Sequence, residues 1–506
     1  MIDAQSPRLV AAQNLLRAGR HADALDLYRE AIRQEPNNVR TYVLTARAHA
    51  ELFQFERMEE VHEKLILRAP NHPGVHHYIG ETFGHLRLPY RAIDCFEKAA
   101  SIESSAPPTW MELASLYESA HRLDEASELI ERTVSSGYDA PLVWLVRGRI
   151  QRRSKYLESA EATFRELINH APESEWAAQA WGEIALMKDG QGDYAGAVDA
   201  IRKCKQLQMM REERFLKPAE QARQRIRPLF NDLSRQDLRK WRNEAEGQDE
   251  IRLAVLTGFP RSGTTLLEQL LDAHPDLVSS EERDYIGREL MRQVVFRQGS
   301  TPLLDLLNQL TPRKLKEGRE RYLPAMEYLL GEKINGRIHL DKNPAYNLTL
   351  PLLLRFFPFS RLIVALRDPR DVVLSCYLRY LPLNSVSVHF MSPQRTAEKY
   401  AFDMRAWLRM RELIETPWCE VRYEDTVADA GREAKRALEL LGLEWNDDVL
   451  NYRQRLGRDK MVTSPTYEAV AQPLHQGAIN RWKNYEEFLA PAFETLTPFI
   501  REFGYS

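Results

Sequence analysis

The chain has 506 residues, 43% hydrophobic and 28% charged, which excludes disorder and collagen-like repeats and allows roughly three to five domain-sized units. With 70 Lys and Arg against 73 Asp and Glu the net charge is −3, too little basic surplus for a protein that coats nucleic acid. Cys95, Cys204, Cys376 and Cys419 include no CxxC pair and read as reduced thiols, not as a disulfide framework or zinc site. The first residues show no basic stretch followed by an apolar core, and no apolar run approaches the ~20 residues of a membrane span. The expectation is a cytoplasmic chain with no membrane span.

A repeat occupies residues 1–207. Pro36 and Pro70 are separated by 34 residues, and further steps of the same length reach Pro172. In that register Ala24, Met58, Ala92, Ala126 and Ala160 share one column, followed four residues on by Tyr28, His62, Phe96, Ile130 and Phe164. A third column holds only small residues, Ala12, Ala46, Gly80, Ala114 and Gly148; one more step lands on Gly182, and a three-residue insertion moves the next alanine to Ala197. Two helices per unit explain the pattern: small residues let the helices approach, the aromatic fills the gap, and proline ends the second helix. The period, the small–small–aromatic order and the closing proline resemble the tetratricopeptide repeat over about residues 5–207. Met58, His62 and the Gly137-Tyr138 pair depart from it. The resemblance implies five to six repeats with a protein or peptide partner.

Residues 208–249 lose the period but stay helical and charged, with Arg211, Arg214, Lys217, Arg223, Arg225 and Arg227. Such a run is usually a solvated helix face, so this segment reads as a helical connector.

Residues 250–506 follow a different pattern. Ile251–Thr257 has strand length and leads into Gly258-Phe259-Pro260-Arg261-Ser262-Gly263-Thr264-Thr265, after which Leu266, Leu267, Leu270 and Leu271 recur at helical spacing. A helix opening at Thr264 turns its free N–H groups and positive dipole end into the loop, and the glycines let backbone amides wrap an anion. The glycine spacing is that of a P-loop, but Thr264-Thr265 stands where Lys-Ser/Thr would bind a nucleoside triphosphate. Arg261 is the loop's cation, and an anion other than a magnesium triphosphate suits it better.

These residues, PRSGTTLL followed by DAHP, resemble the 5′-phosphosulfate loop of sulfotransferases that use 3′-phosphoadenosine 5′-phosphosulfate (PAPS), closer to the tyrosylprotein and carbohydrate branch than to the cytosolic small-molecule branch. The chain as a whole resembles a bacterial-type tetratricopeptide-repeat sulfotransferase. The resemblance implies that Pro260, Arg261, Ser262, Gly263, Thr264 and Thr265 hold the 5′-phosphosulfate. A second strand, Arg361–Arg367, turns at Asp368-Pro369 into a helix starting near Val372. Arg367 and Ser375, eight residues apart, resemble the family's 3′-phosphate pair, with charge-assisted contacts from the arginine and a hydroxyl hydrogen bond from the serine.

Asp276–Ser280 reads as a strand ending in Glu281-Glu282. In the tyrosylprotein branch the second member of such a pair is the general base, which maps onto Glu282; a carboxylate stabilising a helix end is the plainer reading and fits Glu281 as well. Ile338–Asp341 is a strand followed by Lys342-Asn343-Pro344, and the family's lysine here stabilises the departing phosphate. Tyr423, in Val421-Arg422-Tyr423-Glu424, resembles a tyrosine lying near the nucleotide. Asn480, Arg481, Trp482 and Lys483 resemble the segment that closes over it, with Asn480 where many relatives have serine and Trp482 reading more as a packing anchor than as a ligand.

The expected fold is an α-helical tetratricopeptide solenoid followed by an α/β P-loop-like domain, a parallel sheet of about five strands flanked by helices. The expected activity is sulfuryl transfer from PAPS as co-substrate, with no metal. Arg261, Lys342 and Glu282 form the catalytic set. The acceptor is either a protein or peptide, including its tyrosines, presented by the repeats, or a carbohydrate or small molecule with the repeats serving assembly. A repeat scaffold with a degenerate nucleotide domain is the remaining alternative. The loop, base, lysine and 3′-phosphate pair, all present, argue against it.

Overall fold

The computed structural model describes residues 7–17, 20–36, 38–102, 106–247, 251–290, 294, 301–454 and 476–506. Residues 1–6 and the expected connector boundary at 248–250 lie outside them. Two compact units emerge, residues 1–150 with 324–332, and residues 151–323 with 333–506.

The first unit is built from helix pairs joined by short turns: Pro7–Arg17 with His21–Gln34, Val39–Glu51 with Phe55–Arg68, Pro73–His85 with Pro89–Ser101, and Pro107–Ser119 with Leu123–Ser135, followed by Pro141–Arg153. The columns read from the sequence are its packing surfaces. Ala24, Met58, Ala92 and Ala126 are each 0% exposed, and Tyr28, His62, Phe96 and Ile130 lie beside them at 3% or less. A Cβ on Gly80 would stand 3.0 Å from the Phe96 ring, so the small column is small because the aromatic column fills its space. Phe53, Arg87 and His121, one per turn between paired helices, all adopt positive φ of 53° to 59°.

In the second unit the repeats continue as Leu157–His170, then Glu175–Gly190 paired with Tyr194–Met209. Ala160, Phe164 and Ala197 are again fully buried. The connector is helical, Glu213–Asp232 and Arg235–Asn243, the latter opened by a reciprocal Ser234–Asp237 capping box. Of its basic run, Arg211, Arg214, Lys217 and Arg227 are exposed, while Arg223 and Arg225 are half-buried.

Five strands follow: β1 (Leu253–Thr257), β2 (Leu277–Ser279), β3 (Ile338–Lys342), β4 (Arg361–Leu366) and β5 (Trp418–Arg422). They form one parallel sheet in the order β2-β3-β1-β4-β5. β1, β2 and β3 are buried at every position, as expected of parallel strands covered on both faces. The chain runs from β1 outward to β2 and β3 on one side, then crosses to β4 and β5 on the other. The crevice where the order reverses, at the carboxyl ends of β1, β3 and β4, is where an open parallel sheet binds ligands. No described helix is long and apolar enough to cross a membrane.

Candidate active site

The loop after β1 is shaped by two glycines that nothing larger could replace. A Cβ on Gly258 would stand 2.5 Å from the Ala365 carbonyl oxygen of β4, and one on Gly263, at φ 90°, would stand 2.5 Å from the Tyr423 ring. Asn347 braces the loop from below, accepting from Thr257 Oγ1 at 3.1 Å and donating to the Gly258 carbonyl at 2.7 Å. The helix Thr264–Asp272 then begins. Its first-turn N–H groups open toward the loop. Ser262, Thr264 and Thr265 are buried, and the Pro260 carbonyl faces the Cys376 thiol at 3.5 Å.

Arg261 adopts φ 73°, a conformation that costs a non-glycine residue roughly 1–2 kcal/mol. Its Nε donates to Ser375 Oγ at 3.1 Å, and its carbonyl accepts from Arg367 Nη1 at 3.1 Å. The two ends of the expected phosphate-binding set therefore meet, although 114 residues separate Arg261 from Ser375. Burial of the Arg261 guanidinium, with Arg379 and Arg367 nearby, depresses its pKa. Burial is the larger cause, and the repulsion from the two neighbouring arginines adds to it. Arg367, 8% exposed, packs over the Tyr423 ring at 5.0 Å and gives Nη2 to the Ala478 carbonyl at 2.6 Å, while its Nε is buried without a hydrogen-bond partner. An orphaned donor on a buried cation fits an anionic ligand.

Across the crevice, Lys342 ends β3 between two carboxylates. Nζ lies 3.1 Å from Glu268 Oε2 and 3.0 Å from Glu282 Oε1. Burial opposes its charge, but Glu268, Glu282 and Glu281 outweigh burial and raise its pKa. Glu268 is fully enclosed and accepts a hydrogen bond from Ser279 Oγ, whereas the Glu282 side chain keeps 35% of its surface exposed. Glu281 is buried, at φ 52°. Beneath them Asp341 accepts from Tyr322 at 2.7 Å and Tyr346 at 3.1 Å, and its pKa is raised to about 6, chiefly by burial.

The tail lies differently residue by residue. Asn480 has φ 57°, and its backbone N–H and that of Trp482 point at Asp371; the Trp482 N–H donates at 2.8 Å. Arg481 forms an ion pair with Asp189. Trp482 is buried under Arg370, 4.0 Å above its ring, and against Phe493, while Lys483 is exposed with Nζ 5.9 Å from the Trp482 ring. Thus Arg261, Arg367, Ser375 and Tyr423 surround the loop, Lys342 and Glu282 face it from β3 and β2, and Arg481 and Trp482 are engaged with protein.

Sequence reasoning missed Glu268, Asn347, Asp371 and Asp189. Glu268 carried a faint signal, a charge on a helix whose other turns are leucine. Among the described residues no group of three or more His, Cys, Asp or Glu side chains is placed to hold a metal ion.

Residues 254–447 match the sulfotransferase family, and residues 9–59 and 111–175 match the tetratricopeptide repeat. Protein-tyrosine sulfotransferase 1 of Danio rerio is 27% identical over 245 residues, 46% of this chain and 66% of that protein. Protein-tyrosine sulfotransferase A of Caenorhabditis elegans is 24% identical over 253 residues, 49% of this chain and 66% of that protein. The chain thus spans just under two thirds of the length of either relative. Among solved structures, the sulfotransferase domain of the Synechococcus PCC 7002 olefin synthase aligns with 51% of this chain and 97% of its own length, at 18% identity and a TM-score of 0.36.

Proposed function

We propose that this chain, which joins tetratricopeptide repeats to a sulfotransferase-family domain, moves a sulfuryl group from PAPS to an acceptor hydroxyl. The observation that carries the reading is the pairing of a cation-rich loop with a lysine–carboxylate couple at the carboxyl end of the sheet, Arg261, Arg367 and Ser375 on one side and Lys342 with Glu282 on the other. PAPS, when bound, supplies the activated sulfuryl group. Arg261 and the Gly258–Thr265 amides hold its 5′-phosphosulfate, Arg367 and Ser375 its 3′-phosphate, and Tyr423 walls the pocket between them. Glu282, the more accessible carboxylate on Lys342, receives the acceptor's proton, and Lys342 stabilises charge on the departing bisphosphate. The cations this reaction requires are side chains, so the reading needs no metal. The acceptor is a protein or peptide hydroxyl, with tyrosine suggested by the relatives' names and presentation by the repeats.

Binding of 3′,5′-adenosine bisphosphate, followed by calorimetry in EDTA, tests the site, and labelled PAPS with peptides, glycans and phenols tests the reaction. Glu282→Gln is expected to keep nucleotide affinity and lose ~10²–10⁴ in transfer. Binding that requires magnesium and prefers ATP would overturn the reading, and full activity of Glu282→Gln would remove that residue as base. Transfer confined to glycans or phenols would shift the acceptor, and bisphosphate binding without transfer to any acceptor would favour the scaffold.

A further inference from the structure

The last repeat grips both segments that frame the candidate nucleotide site. One is the tail. Ala478 and Trp482 tie it to Arg367 and Asp371 at 2.6 and 2.8 Å, and its other side is held by the C-terminal end of the repeat helix Glu175–Gly190. There Asp189 Oδ1 accepts from the Tyr485 hydroxyl at 2.6 Å and Oδ2 pairs with Arg481. Tyr194 meets the Tyr485 ring edge-on at 5.2 Å. The second segment is the chain leaving the helix Pro369–Tyr377, which carries Ser375. Lys205, 2% exposed, donates to the Arg379 carbonyl at 2.9 Å, and Gln208 donates to the Leu381 carbonyl at 2.7 Å. Between these two bonds Tyr380 occupies the space above Gly182, where a Cβ would stand 2.6 Å from its own Cβ, and its hydroxyl donates to Glu175 at 2.7 Å.

Lys205, Gln208 and Tyr485 are buried at these contacts, Asp189 and Arg481 are part-buried, and the Tyr380–Glu175 bond lies at the surface. Asp189 is the link that acts on the tail, because one carboxylate engages both Arg481 and Tyr485, on either side of the buried Trp482. Without it the tail keeps Trp482 as an anchor but loses the charged clasp that sets the position of the Ala478 carbonyl against Arg367.

We infer that Asp189 is a positioning residue for nucleotide binding, through which the last tetratricopeptide repeat sets the affinity of the sulfotransferase site. The inference rests on the function proposed above. The conservative Asp189→Asn keeps an acceptor for the Tyr485 hydroxyl but loses the charge facing Arg481; Asp189→Ala loses both. In the full chain, calorimetry with 3′,5′-adenosine bisphosphate is expected to show affinity lowered about tenfold by Asp189→Asn and further by Asp189→Ala. In transfer assays the PAPS KM is expected to rise with the acceptor KM unchanged. Pairing Asp189→Arg with Arg481→Asp is expected to restore part of the affinity.

Thr163→Val supplies the control, since it breaks a part-buried bond to Gln151 (2.8 Å) elsewhere in the same unit. If it lowers affinity as much as Asp189→Ala for an equal loss of melting temperature, the effect is general destabilisation and the inference fails. It also fails if folded Asp189→Ala binds the bisphosphate as the wild type does. A wild-type protein that does not bind the bisphosphate overturns the sulfotransferase reading, and this inference with it.

Discussion

Lys342 sits between two carboxylates with opposite access to water, Glu268 with a 0% exposed side chain and Glu282 with 35%. The asymmetry divides their roles. Glu268 cannot reach solvent and holds the ammonium where β3 ends, whereas Glu282 stays open to solvent. A buried ion pair gives little net stability, because desolvation offsets the Coulomb attraction, but removing one partner strands the other. Lys342→Met is therefore expected to destabilise the fold by ~3–5 kcal/mol in urea titrations. Adding Glu268→Gln is expected to recover more than half of the loss, since a neutral amide can stay hydrogen-bonded to Ser279. A double variant as unstable as the sum of the single ones would show that the two residues do not act as a pair. Backbone conformation points to the same region: Arg261, Glu281, Asp284 and Asn480 are non-glycine residues at positive φ, all in segments that border the crevice. Strain held in place by surrounding structure is common where a site must be preorganised.

At the level of the elements, the turn between paired helices repeats more strictly than the residues that form it. Phe53, Arg87, His121 and Lys155 occur at the repeat interval with φ between 53° and 66°, and Gly192, after the insertion, holds the place at 79°. Lys155 is exposed, so its backbone can be tested with little loss of packing. Lys155→Gly is expected to raise stability by ~0.5–1 kcal/mol and Lys155→Val to lower it by ~1–2 kcal/mol, read from thermal melts. Equal melting temperatures for the three proteins would show that the turn relaxes out of the left-handed region. This turn also shows where sequence reading stops. The alanine and aromatic columns were legible because every unit buries the same faces, so side-chain type repeats with the period. The turn demands only a backbone conformation, met here by Phe, Arg, His, Lys and Gly, and no side-chain pattern records it. In the crevice, Arg261, Lys342 and Arg367 could be singled out because each stands where a strand becomes a loop, a local signal. Asp189 gave none: it resembles any polar residue ending a helix, and its partner Tyr485 lies 296 residues away.

For the whole molecule, carboxylates of opposite tendency lie in different compact units. In the first, burial pushes the Glu59 carboxyl up, but the nearby His62 ring and hydrogen bonds from Tyr328 and Arg91 outweigh it, and the pKa falls from 4.5 to about 2. Such a group contributes stability at neutral pH that is lost only as pH falls below its unfolded value. In the second unit Asp341 and Asp371 are both raised from 3.8 to about 6, first of all by burial. The sign reverses: the folded state binds their protons more tightly than the unfolded chain does, so their contribution is complete below 3.8 and is lost as pH rises through about 6. Between about pH 4.5 and about pH 7 the Glu59 contribution is therefore nearly flat while that of Asp341 and Asp371 declines. Asp341→Asn isolates one share, since the amide cannot titrate and its oxygen can still accept from a tyrosine hydroxyl. Urea unfolding of both proteins across that range is expected to show the wild type losing ~2 kcal/mol relative to the variant as pH rises. The loss should be steepest below about 6, where the unfolded chain has released the proton and the fold still holds it, and should level off above that value. Parallel stability curves would mean that Asp341 titrates in the folded protein as it does in the unfolded chain, and that burial does not outweigh the two tyrosine hydroxyls that donate to its carboxylate.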